Sequence, residues 1–191
     1  MNYGHCRTIA AIGRNYVAHA LELKNPLPKY PFFFLKPVSS LVTPDDVQQI
    51  VLPAGVGSVH HEAELAVVIG KRAKNVGQDE AMDFVSGYAI AIDVTARDLQ
   101  EKAKSEGKPW TVAKGFDTFC PISAFISKED IPDPHNVTLF LKINGVTKQK
   151  DSTSLMIFKI PELIAAVTKV MTLNEGDIIL TGTPKGVGPL W

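Results

Sequence analysis

Hydrophobic and polar positions divide the chain into short apolar runs separated by turns that contain Gly and Pro. These runs predict strands at residues 8–12, 32–35, 49–52, 87–93 and 178–180, of which 32–35 and 178–180 are expected to be buried, and a strand region at residues 119–126. Strict alternation over residues 137–143, followed by Asn144-Gly145, predicts a β-hairpin, because Asn-Gly favours a tight two-residue turn. An amphipathic helix with Pro in its first turn is predicted at residues 161–171.

Another helix is predicted at residues 15–24, with Asn15 as its N-cap. His19 and Glu22 are three residues apart in it, so their side chains lie on one face. A carboxylate beside an imidazole orients the ring and raises its basicity, which a general base needs. An ordinary surface pair is the alternative, and the spacing by itself favours that alternative.

The apolar run at residues 60–70 differs from the others because it opens with two acids. On a strand, Glu62 and Glu64 point to the same face, about 7 Å apart along the chain. Buried carboxylates require compensation, which a cation would supply. The strand at residues 87–93 also ends on an acid, Asp93, and three carboxylates at strand ends indicate Mg²⁺ or Mn²⁺ rather than Zn²⁺. A solvated strand face, with Asp93 as a helix cap, explains the spacing equally well.

Two cationic positions follow this strand. Residues 95–98 match a capping box, so Arg97 and Gln100 lie on one face of the first turn of a helix. An Arg beside a helix N-terminus is suited to binding a carboxylate, although surface residues of a capped helix give the same pattern. Lys114 has apolar neighbours on both sides, so we expect its ammonium to have a partner.

A Gly-rich loop, residues 181–188, follows the last predicted strand and contains Thr183. It is not a P-loop, because the G-x-x-x-x-G-K-[ST] spacing is absent. Backbone N–H groups and hydroxyls in such a loop can bind a carboxylate or an oxyanion. The composition of the loop is a weak signal without support from the rest of the chain.

Composition and charge narrow the functional class. With 191 residues, we expect a single domain with a full core. The chain has 20 Lys+Arg and 20 Asp+Glu residues, and no basic stripe indicates binding to nucleic acid. No apolar run is long enough to span a membrane, and no secretory signal is visible. Cys6 and Cys120 have neither metal-type spacing nor a disulfide pattern, which fits an intracellular, reducing compartment.

Taken together, the motifs resemble the fumarylacetoacetate hydrolase superfamily, and within it the short acylpyruvase-like members. The resemblance runs from about Ile9 to Gly188, nearly the whole chain. It rests on Ile12-Gly13-Arg14-Asn15-Tyr16 with His19 and Glu22, Phe34-Leu35-Lys36-Pro37, His60-His61-Glu62-x-Glu64-Leu65, Asp93-x-Thr95-Ala96-Arg97-Asp98-x-Gln100, Lys108-Pro109-Trp110-Thr111 with Lys114, and residues 176–188.

The resemblance implies a β-rich α+β fold, the mixed β-sandwich roll of this superfamily, usually as a homodimer. It implies Mg²⁺ or Mn²⁺ as the cofactor, a catalytic dyad on a lid, and a lysine that polarises the substrate. The residues concerned are the metal ligands Glu62, Glu64 and Asp93, the catalytic residues His19, Glu22 and Lys114, and Arg97, Gln100 and Thr183, which hold the carboxylate and keto oxygen of a pyruvate-like group.

The activity that the resemblance implies is hydrolysis of the C–C bond of acylpyruvates, which yields a carboxylate and pyruvate through a metal-stabilised pyruvate enolate. Oxaloacetate decarboxylation passes through the same enolate. Keto–enol tautomerisation of oxaloacetate uses the same site without bond cleavage and is the alternative. These residue types do not separate the three reactions.

Relatives usually continue past Gly188-Pro189 with strands that complete the roll, so we expect the last strands to be lacking here. Missing strands would leave an unpaired sheet edge. A catalytically impaired family member is therefore a second alternative. Residues 1–8 are expected to form an N-terminal tail, and the mitochondrial matrix and the cytoplasm are both consistent with the sequence.

Overall fold

A six-stranded mixed sheet lies at the centre of the computed structural model, which describes residues 3–23, 25–46 and 49–191. The strands in these residues are β1 (Ile9–Ile12), β2 (Phe33–Lys36), β3 (Leu41–Val42), β4 (Val59–His61), β5 (Ala63–Ile69), β6 (Val85–Ile92), β7 (Thr95–Ala96), β8 (Cys120–Pro121), β9 (Ile126–Ser127), β10 (Thr138–Ile143), β11 (Val146–Ser152), β12 (Ile178–Leu180) and β13 (Gly188–Pro189). The α-helices are α1 (Val17–Glu22), α2 (Arg97–Ser105), α3 (Thr111–Lys114) and α4 (Ile160–Val170). The prediction of a β-rich α+β fold is confirmed.

The central sheet has the strand order β2-β1-β12-β5-β6-β9. β1 and β12 are parallel, with Ile9 opposite Ile178, and the other neighbours are antiparallel. The remaining strands form the hairpin β10-β11, the three-stranded sheet β13-β4-β7 and the parallel pair β3-β8. β5 lies inside the central sheet and every one of its residues is buried, so an acid on this strand is far from water.

Both faces of the central sheet are covered, because successive side chains on its strands point to opposite sides. Leu65 and Val67 of β5 belong to one apolar cluster, which also contains Leu163 of α4. Ala66 and Val68 belong to a second cluster on the other face. The side of β5 that carries Glu64 is therefore a second interior face, and the sequence alternation had assigned only the first to the core.

The predicted hairpin and the predicted helix at residues 161–171 are confirmed. β10 and β11 are joined by Asn144 and Gly145, whose φ angles of +49° and +80° fit the left-handed turn that this pair favours. α4 begins one residue before the predicted start and has Pro161 in its first turn. None of the described helices has the length and apolar content needed to cross a membrane.

One strand prediction is wrong. In the described structure residues 49–52 form no strand, and Val51 donates its N–H to the hydroxyl of Thr118 at 2.8 Å instead of to a neighbouring strand. The strand region predicted at residues 119–126 contains β8 and the start of β9, with a break between them. Pro121 lies within β8 and has no N–H to continue a ladder of hydrogen bonds.

Asn15 is not the N-cap of α1, which begins at Val17 with Tyr16 at the cap position. The Asn15 side chain is buried and donates to the carbonyls of Phe158 at 3.0 Å and Thr181 at 2.9 Å. This side chain joins three segments that are distant in sequence. Because it is engaged in these bonds, Asn15 does not cap α1. The predicted end of this helix, Lys24, lies outside the described residues.

The predicted capping box at residues 95–98 is also wrong. α2 begins at Arg97 with Ala96 at the cap position, and no side chain caps it. The Thr95 hydroxyl instead donates to the carbonyl of Asp93 at 3.1 Å and accepts a hydrogen bond from Lys114. Thr95 is thus committed to the site that is described below, and the helix that follows it lacks the expected cap.

The segment before β1 is held by one buried carboxylate. Asp177, in the turn before β12, accepts hydrogen bonds from the backbone N–H groups of Arg7 at 2.8 Å, Thr8 at 2.8 Å and Asn174 at 2.6 Å. Tyr3 also lies in the second apolar cluster. The described residues of the expected tail are therefore fixed to the body of the fold.

Replacing Asp177 with Ala leaves these three N–H donors without their acceptor. An unsatisfied buried donor costs about 1–3 kcal/mol, but Arg7 is exposed and Thr8 and Asn174 are half-buried, so water replaces part of the lost bonding. We therefore expect a total loss of about 2 kcal/mol and a fall in Tm of roughly 4–8 °C. Thermal unfolding followed by circular dichroism would measure it. The control Asp45→Ala removes an exposed carboxylate, and an equal loss in both variants would contradict this role of Asp177.

Candidate active site

Three carboxylates meet where β4 gives way to β5 and where β6 ends. Glu62 lies between β4 and β5, Glu64 is on β5 and Asp93 follows β6. Pairing of β5 with β6 sets Ala63 opposite Ile92, and Asp93 donates its N–H to the carbonyl of Glu62 at 2.8 Å. One oxygen from each carboxylate lies within 4.8 Å of one oxygen from each of the other two, and each residue is at most 5% exposed. The alternative of a solvated strand face is therefore wrong.

Three buried cations oppose these carboxylates. The ammonium of Lys36, the last residue of β2, lies 2.8 Å from Asp93 Oδ1. The ammonium of Lys114, the last residue of α3, lies 2.5 Å from Asp93 Oδ2 and 3.0 Å from Glu62 Oε2. Arg97, the first residue of α2, pairs with Glu62. With all six groups ionised, three negative and three positive charges cancel.

The electrostatics divide the carboxylates into two kinds. Burial alone would raise the pKa of Glu62, but Lys114 and Arg97 outweigh it and hold that pKa far below its ordinary value. Burial, together with the neighbouring charges of Asp93 and Glu62, raises the pKa of Glu64 well above its ordinary value. Glu64 therefore resists ionisation in this arrangement and is the carboxylate that an added cation would stabilise most.

The expectation that the ammonium of Lys114 has partners is confirmed. Its three hydrogens go to the two carboxylates and to the Thr95 hydroxyl at 2.6 Å, and it lies 5.0 Å from the centre of the Phe34 ring. Burial alone would lower the pKa of Lys114, but the adjacent Asp93 and Glu62 raise it, so the side chain stays charged. The ammonium of Lys36 donates to the backbone carbonyl of Lys114 at 2.5 Å, which fixes the backbone at Lys114.

The predicted substrate-binding residues lie on two sides of the carboxylates. Arg97 and Gln100 are both buried and hydrogen bonded to each other on the first turn of α2, as the shared face predicts. Thr183 lies in the loop after β12, and its hydroxyl donates to the carbonyl of Ala63 at 2.8 Å. That carbonyl belongs to the residue between Glu62 and Glu64, so the loop is attached directly to the carboxylate cluster.

His19 and Glu22 are close together on α1 without forming a hydrogen bond. His19 Nδ1 lies 3.9 Å from Glu22 Oε2 and has no hydrogen-bond partner among the described residues. Both carboxylate oxygens of Glu22 accept from the N–H of Gly186, at 3.2 and 3.1 Å. Burial lowers the pKa of His19, which favours the neutral imidazole.

One cavity of about 30 Å³ is lined by every predicted site residue except Glu22. This volume holds about one water molecule. A larger groove of about 880 Å³ shares Phe34 and Trp110 with the cavity and is mainly apolar. A small organic acid therefore enters the cavity only if side chains or α1 move.

Sequence reasoning missed two buried polar residues that hold the site together, Lys36 and Gln149. Lys36 ends an apolar strand before Pro37, and a lysine in that setting is a local signal of a buried charge. Gln149 is buried in the hairpin strand β11, where the sequence shows only a polar residue among others. Nothing in its local sequence indicates the four hydrogen bonds that it makes.

Comparison with known proteins places this geometry in a family. The family model described as fumarylacetoacetate (FAA) hydrolase, C-terminal, matches residues 8–191. The mitochondrial oxaloacetate tautomerase FAHD1 of Bos taurus is 53% identical over 184 residues, 96% of this chain and 82% of the relative. The mitochondrial oxaloacetate decarboxylase of Dictyostelium discoideum is 52% identical over 184 residues, 96% of this chain and 84% of the relative.

A solved structure extends the likeness to the backbone. The fumarylpyruvate hydrolase of Pseudomonas aeruginosa, in complex with Mn²⁺ and pyruvate, superposes with a TM-score of 0.91 at 32% identity, over 97% of this chain and 81% of that structure. The matched family model covers nearly the whole chain, and the relatives at over 50% identity are enzymes. The chain therefore belongs to the fumarylacetoacetate hydrolase family.

Proposed function

We propose that this chain is a divalent-metal-dependent enzyme that interconverts the keto and enol forms of oxaloacetate. The observation that carries the proposal is the buried cluster of Glu62, Glu64 and Asp93, which shares one small cavity with His19. The 53% identity to the bovine oxaloacetate tautomerase supports oxaloacetate as the substrate. Sequence reasoning ranked acylpyruvate hydrolysis first, and this relative favours the isomerase.

Glu62, Glu64 and Asp93 would hold Mg²⁺ or Mn²⁺. An all-carboxylate donor set suits these hard cations. Glu64 has no ion pair among the described residues and accepts only the N–H of Gly182, at 2.6 Å. Its raised pKa therefore marks a position where a positive charge is lacking. When bound there, the cation supplies a Lewis acid for the keto oxygen of a 2-oxo acid.

The cations of the site would orient the substrate. Arg97 and Gln100 are suited to the carboxylate next to the keto group, because a guanidinium can donate two hydrogen bonds to it. Lys114 already donates all three of its ammonium hydrogens. The keto oxygen would therefore replace one of these acceptors, which retains the charge of Lys114 and redirects one N–H to the substrate.

His19 would move the proton. The buried, neutral imidazole of His19 can take a proton from C3 of the keto form. The C3–H bond breaks, its electron pair forms the C2–C3 double bond, and the π pair of the C2–O bond moves to the oxygen. The proton that His19 has taken is then passed to the C2 oxygen. The reverse sequence restores the ketone. No water is consumed in either direction.

Hydrolysis of acylpyruvates is the second candidate. The superposition on fumarylpyruvate hydrolase bound to Mn²⁺ and pyruvate favours it. In this reaction His19 would take a proton from water as the water attacks the distal carbonyl. The C–C bond then breaks and the carboxylic acid leaves. The electron pair of the broken bond stays on pyruvate as the enolate. In the decarboxylation of oxaloacetate no water attacks: the bond between C3 and the distal carboxylate breaks, CO₂ leaves, and the electron pair of that bond stays on pyruvate as the enolate.

The proposal includes a setting for the enzyme. Residues 1–191 would form one catalytic domain, and two chains would form a homodimer. The names of the curated relatives support a mitochondrial location. The assembly state is open to measurement by size-exclusion chromatography with light scattering.

A paired assay separates the candidate reactions. Enol-oxaloacetate and acetylpyruvate are each incubated with Mg²⁺ or with excess chelator, and loss of the enol and release of pyruvate are followed. We expect Mg²⁺-dependent loss of the enol without pyruvate. Mg²⁺-dependent pyruvate from acetylpyruvate would favour the hydrolase. Inactivity on both substrates would contradict the proposal.

The variant His19→Gln tests the base. We expect kcat to fall by about 10²- to 10⁴-fold, the usual contribution of a general base, while the Kd for Mn²⁺ stays unchanged. Because burial lowers the pKa of His19, the acid limb of the wild-type rate profile is expected below the ordinary value of about 6.5. His5→Gln, at an exposed position, is the matched control. Full activity of His19→Gln would exclude this role.

The variant Glu64→Gln tests the metal site through stability. A raised folded-state pKa means that ionisation of Glu64 destabilises the native state as pH rises through that pKa. Gln keeps an acceptor for Gly182 without the charge. At pH 8 in chelator we therefore expect a higher Tm than wild type, by several degrees, since about 1 kcal/mol corresponds to roughly 2–4 °C in a chain of this size.

Excess Mn²⁺ reverses the order of the two proteins. Binding to the native state raises the Tm of the wild type, whereas Glu64→Gln has lost a ligand and is expected to respond little. Glu175→Gln, at an exposed position, should follow the wild type in both conditions. A lower Tm of Glu64→Gln in chelator, or an undiminished response to Mn²⁺, would be inconsistent with the site.

A further inference from the structure

The amide of Gln149 is buried beside the site, although it belongs to the hairpin strand β11. The residue is 1% exposed. Its oxygen accepts from the backbone N–H of Ala63 at 2.9 Å and lies 3.1 Å from Nδ1 of His61. Its NH₂ group donates to the hydroxyl of Thr183 at 2.8 Å and to the carbonyl of Pro184 at 2.9 Å. A primary amide has two donor hydrogens and one oxygen with two lone pairs, so all four are used.

These contacts link two of the segments that form the site, the segment around Ala63 and the loop after β12. Ala63 is the residue between Glu62 and Glu64. Thr183 and Pro184 belong to the loop at residues 181–188, in which Gly182 donates to Glu64. Gln149 is therefore bonded both to Ala63, which lies between the proposed metal ligands Glu62 and Glu64, and to the loop that contacts Glu64.

The loop also packs directly on the backbone of β11. A Cβ atom at Gly186 would lie 2.1 Å from the carbonyl oxygen of Lys148, next to Gln149. The φ of Gly186 is +93°, in the region that favours glycine. Two adjacent residues of β11 thus set the position of the loop, one by hydrogen bonds and the other by close contact.

The direction of these bonds determines what Thr183 offers to a ligand. Its hydroxyl has one hydrogen, which goes to the carbonyl of Ala63 at 2.8 Å, while the oxygen accepts from Gln149. Because Gln149 donates to the hydroxyl oxygen, the proton is directed away from it and towards Ala63. The backbone N–H of Thr183 has no acceptor among the described residues, which leaves it as the free donor of this residue.

We propose that Gln149 is a positioning residue for this site: it holds the Thr183 loop against the carboxylate strand, directs the Thr183 hydroxyl towards Ala63, and leaves the Thr183 N–H to contact the acid group of the substrate. The inference rests on the proposed function, since it assumes a metal and a 2-oxo acid. Gln149 lines no part of the cavity itself, so its effect passes through Thr183 and Ala63.

Mn²⁺ binding, measured by isothermal titration calorimetry, tests the inference without any assay of activity. Loss of a group that orients metal ligands typically weakens binding 10- to 100-fold. We expect this loss for Gln149→Leu, which removes all four bonds. Gln149→Glu keeps the acceptor for Ala63 but has no NH₂ to donate to Thr183 and Pro184, and we expect a weakening of Mn²⁺ binding with native circular dichroism. Lys150→Ala, the exposed neighbour on β11, is the matched control and should bind as wild type does.

Thr183→Val distinguishes a hydroxyl that belongs to the Gln149 network from a hydroxyl that binds the substrate directly. The variant keeps the backbone N–H, and we expect it to weaken Mn²⁺ binding by a similar factor to Gln149→Glu. The double variant should lose little more than either single variant, because both disrupt one network. If Thr183→Val instead raised KM with unchanged Mn²⁺ affinity, the hydroxyl itself would bind substrate and the inference would be overturned.

The remaining outcomes distinguish this inference from the proposed function. A wild-type protein that does not bind Mn²⁺ overturns both. A wild-type protein that binds Mn²⁺, together with folded Gln149 variants of equal affinity, overturns the inference and leaves the proposed function standing. If Gln149→Leu does not fold, Gln149→Glu and Thr183→Val still decide between these outcomes.

Discussion

The structure depends on the mutual neutralisation of charges that are withheld from water. Transfer of one carboxylate or ammonium into a protein interior costs several kcal/mol, and only close partners offset that cost. Asp93 meets this requirement through Lys36 and Lys114, and Glu62 through Lys114 and Arg97. Each cation stands at the end of a different element, so the ends of β2, α2 and α3 must converge on the carboxylates for the fold to be stable.

Neutral amides connect the segments around this charged centre. Asn15 bonds to Phe158 and Thr181, which are 143 and 166 positions away along the chain. Gln149, on the hairpin strand β11, bonds to Ala63 of β5 and to Thr183 in the loop after β12. An amide offers donors and acceptors without adding a charge to a region where each charge must be balanced. The segments that carry Glu22 and Thr183 are thereby fixed to the core by groups that do not disturb its electrostatics.

Local patterns predicted the elements whose cause is local. The Asn144-Gly145 turn, the helix that begins near Pro161 and the strand at residues 178–180 follow from backbone preference and periodicity. The burial of Glu64 could not be read in this way, because the face of a strand is dry or wet according to what packs on it. Asn15 and Thr95 have strong preferences for capping, but the side chain of Asn15 bonds to Phe158 and Thr181, and the hydroxyl of Thr95 bonds to Asp93 and Lys114. The motifs of the family supplied the site residues. Lys36 ends an apolar strand, which is a local signal of a buried charge, whereas Gln149 bonds to distant residues that no local pattern indicates.

The balance of three acids and three bases has a consequence for how this site can evolve. A single substitution at Lys36 removes one charge and leaves Asp93 with Lys114, which Asp93 already shares with Glu62. Breaking a buried ion pair costs about 3–5 kcal/mol, so single substitutions at these positions are strongly disfavoured. Change requires paired replacements, in which an acid and a base are lost together, so the cluster is expected to persist as a unit or to disappear as a unit. The chemistry of the centre is thus preserved in descendants by epistasis as well as by selection on the reaction.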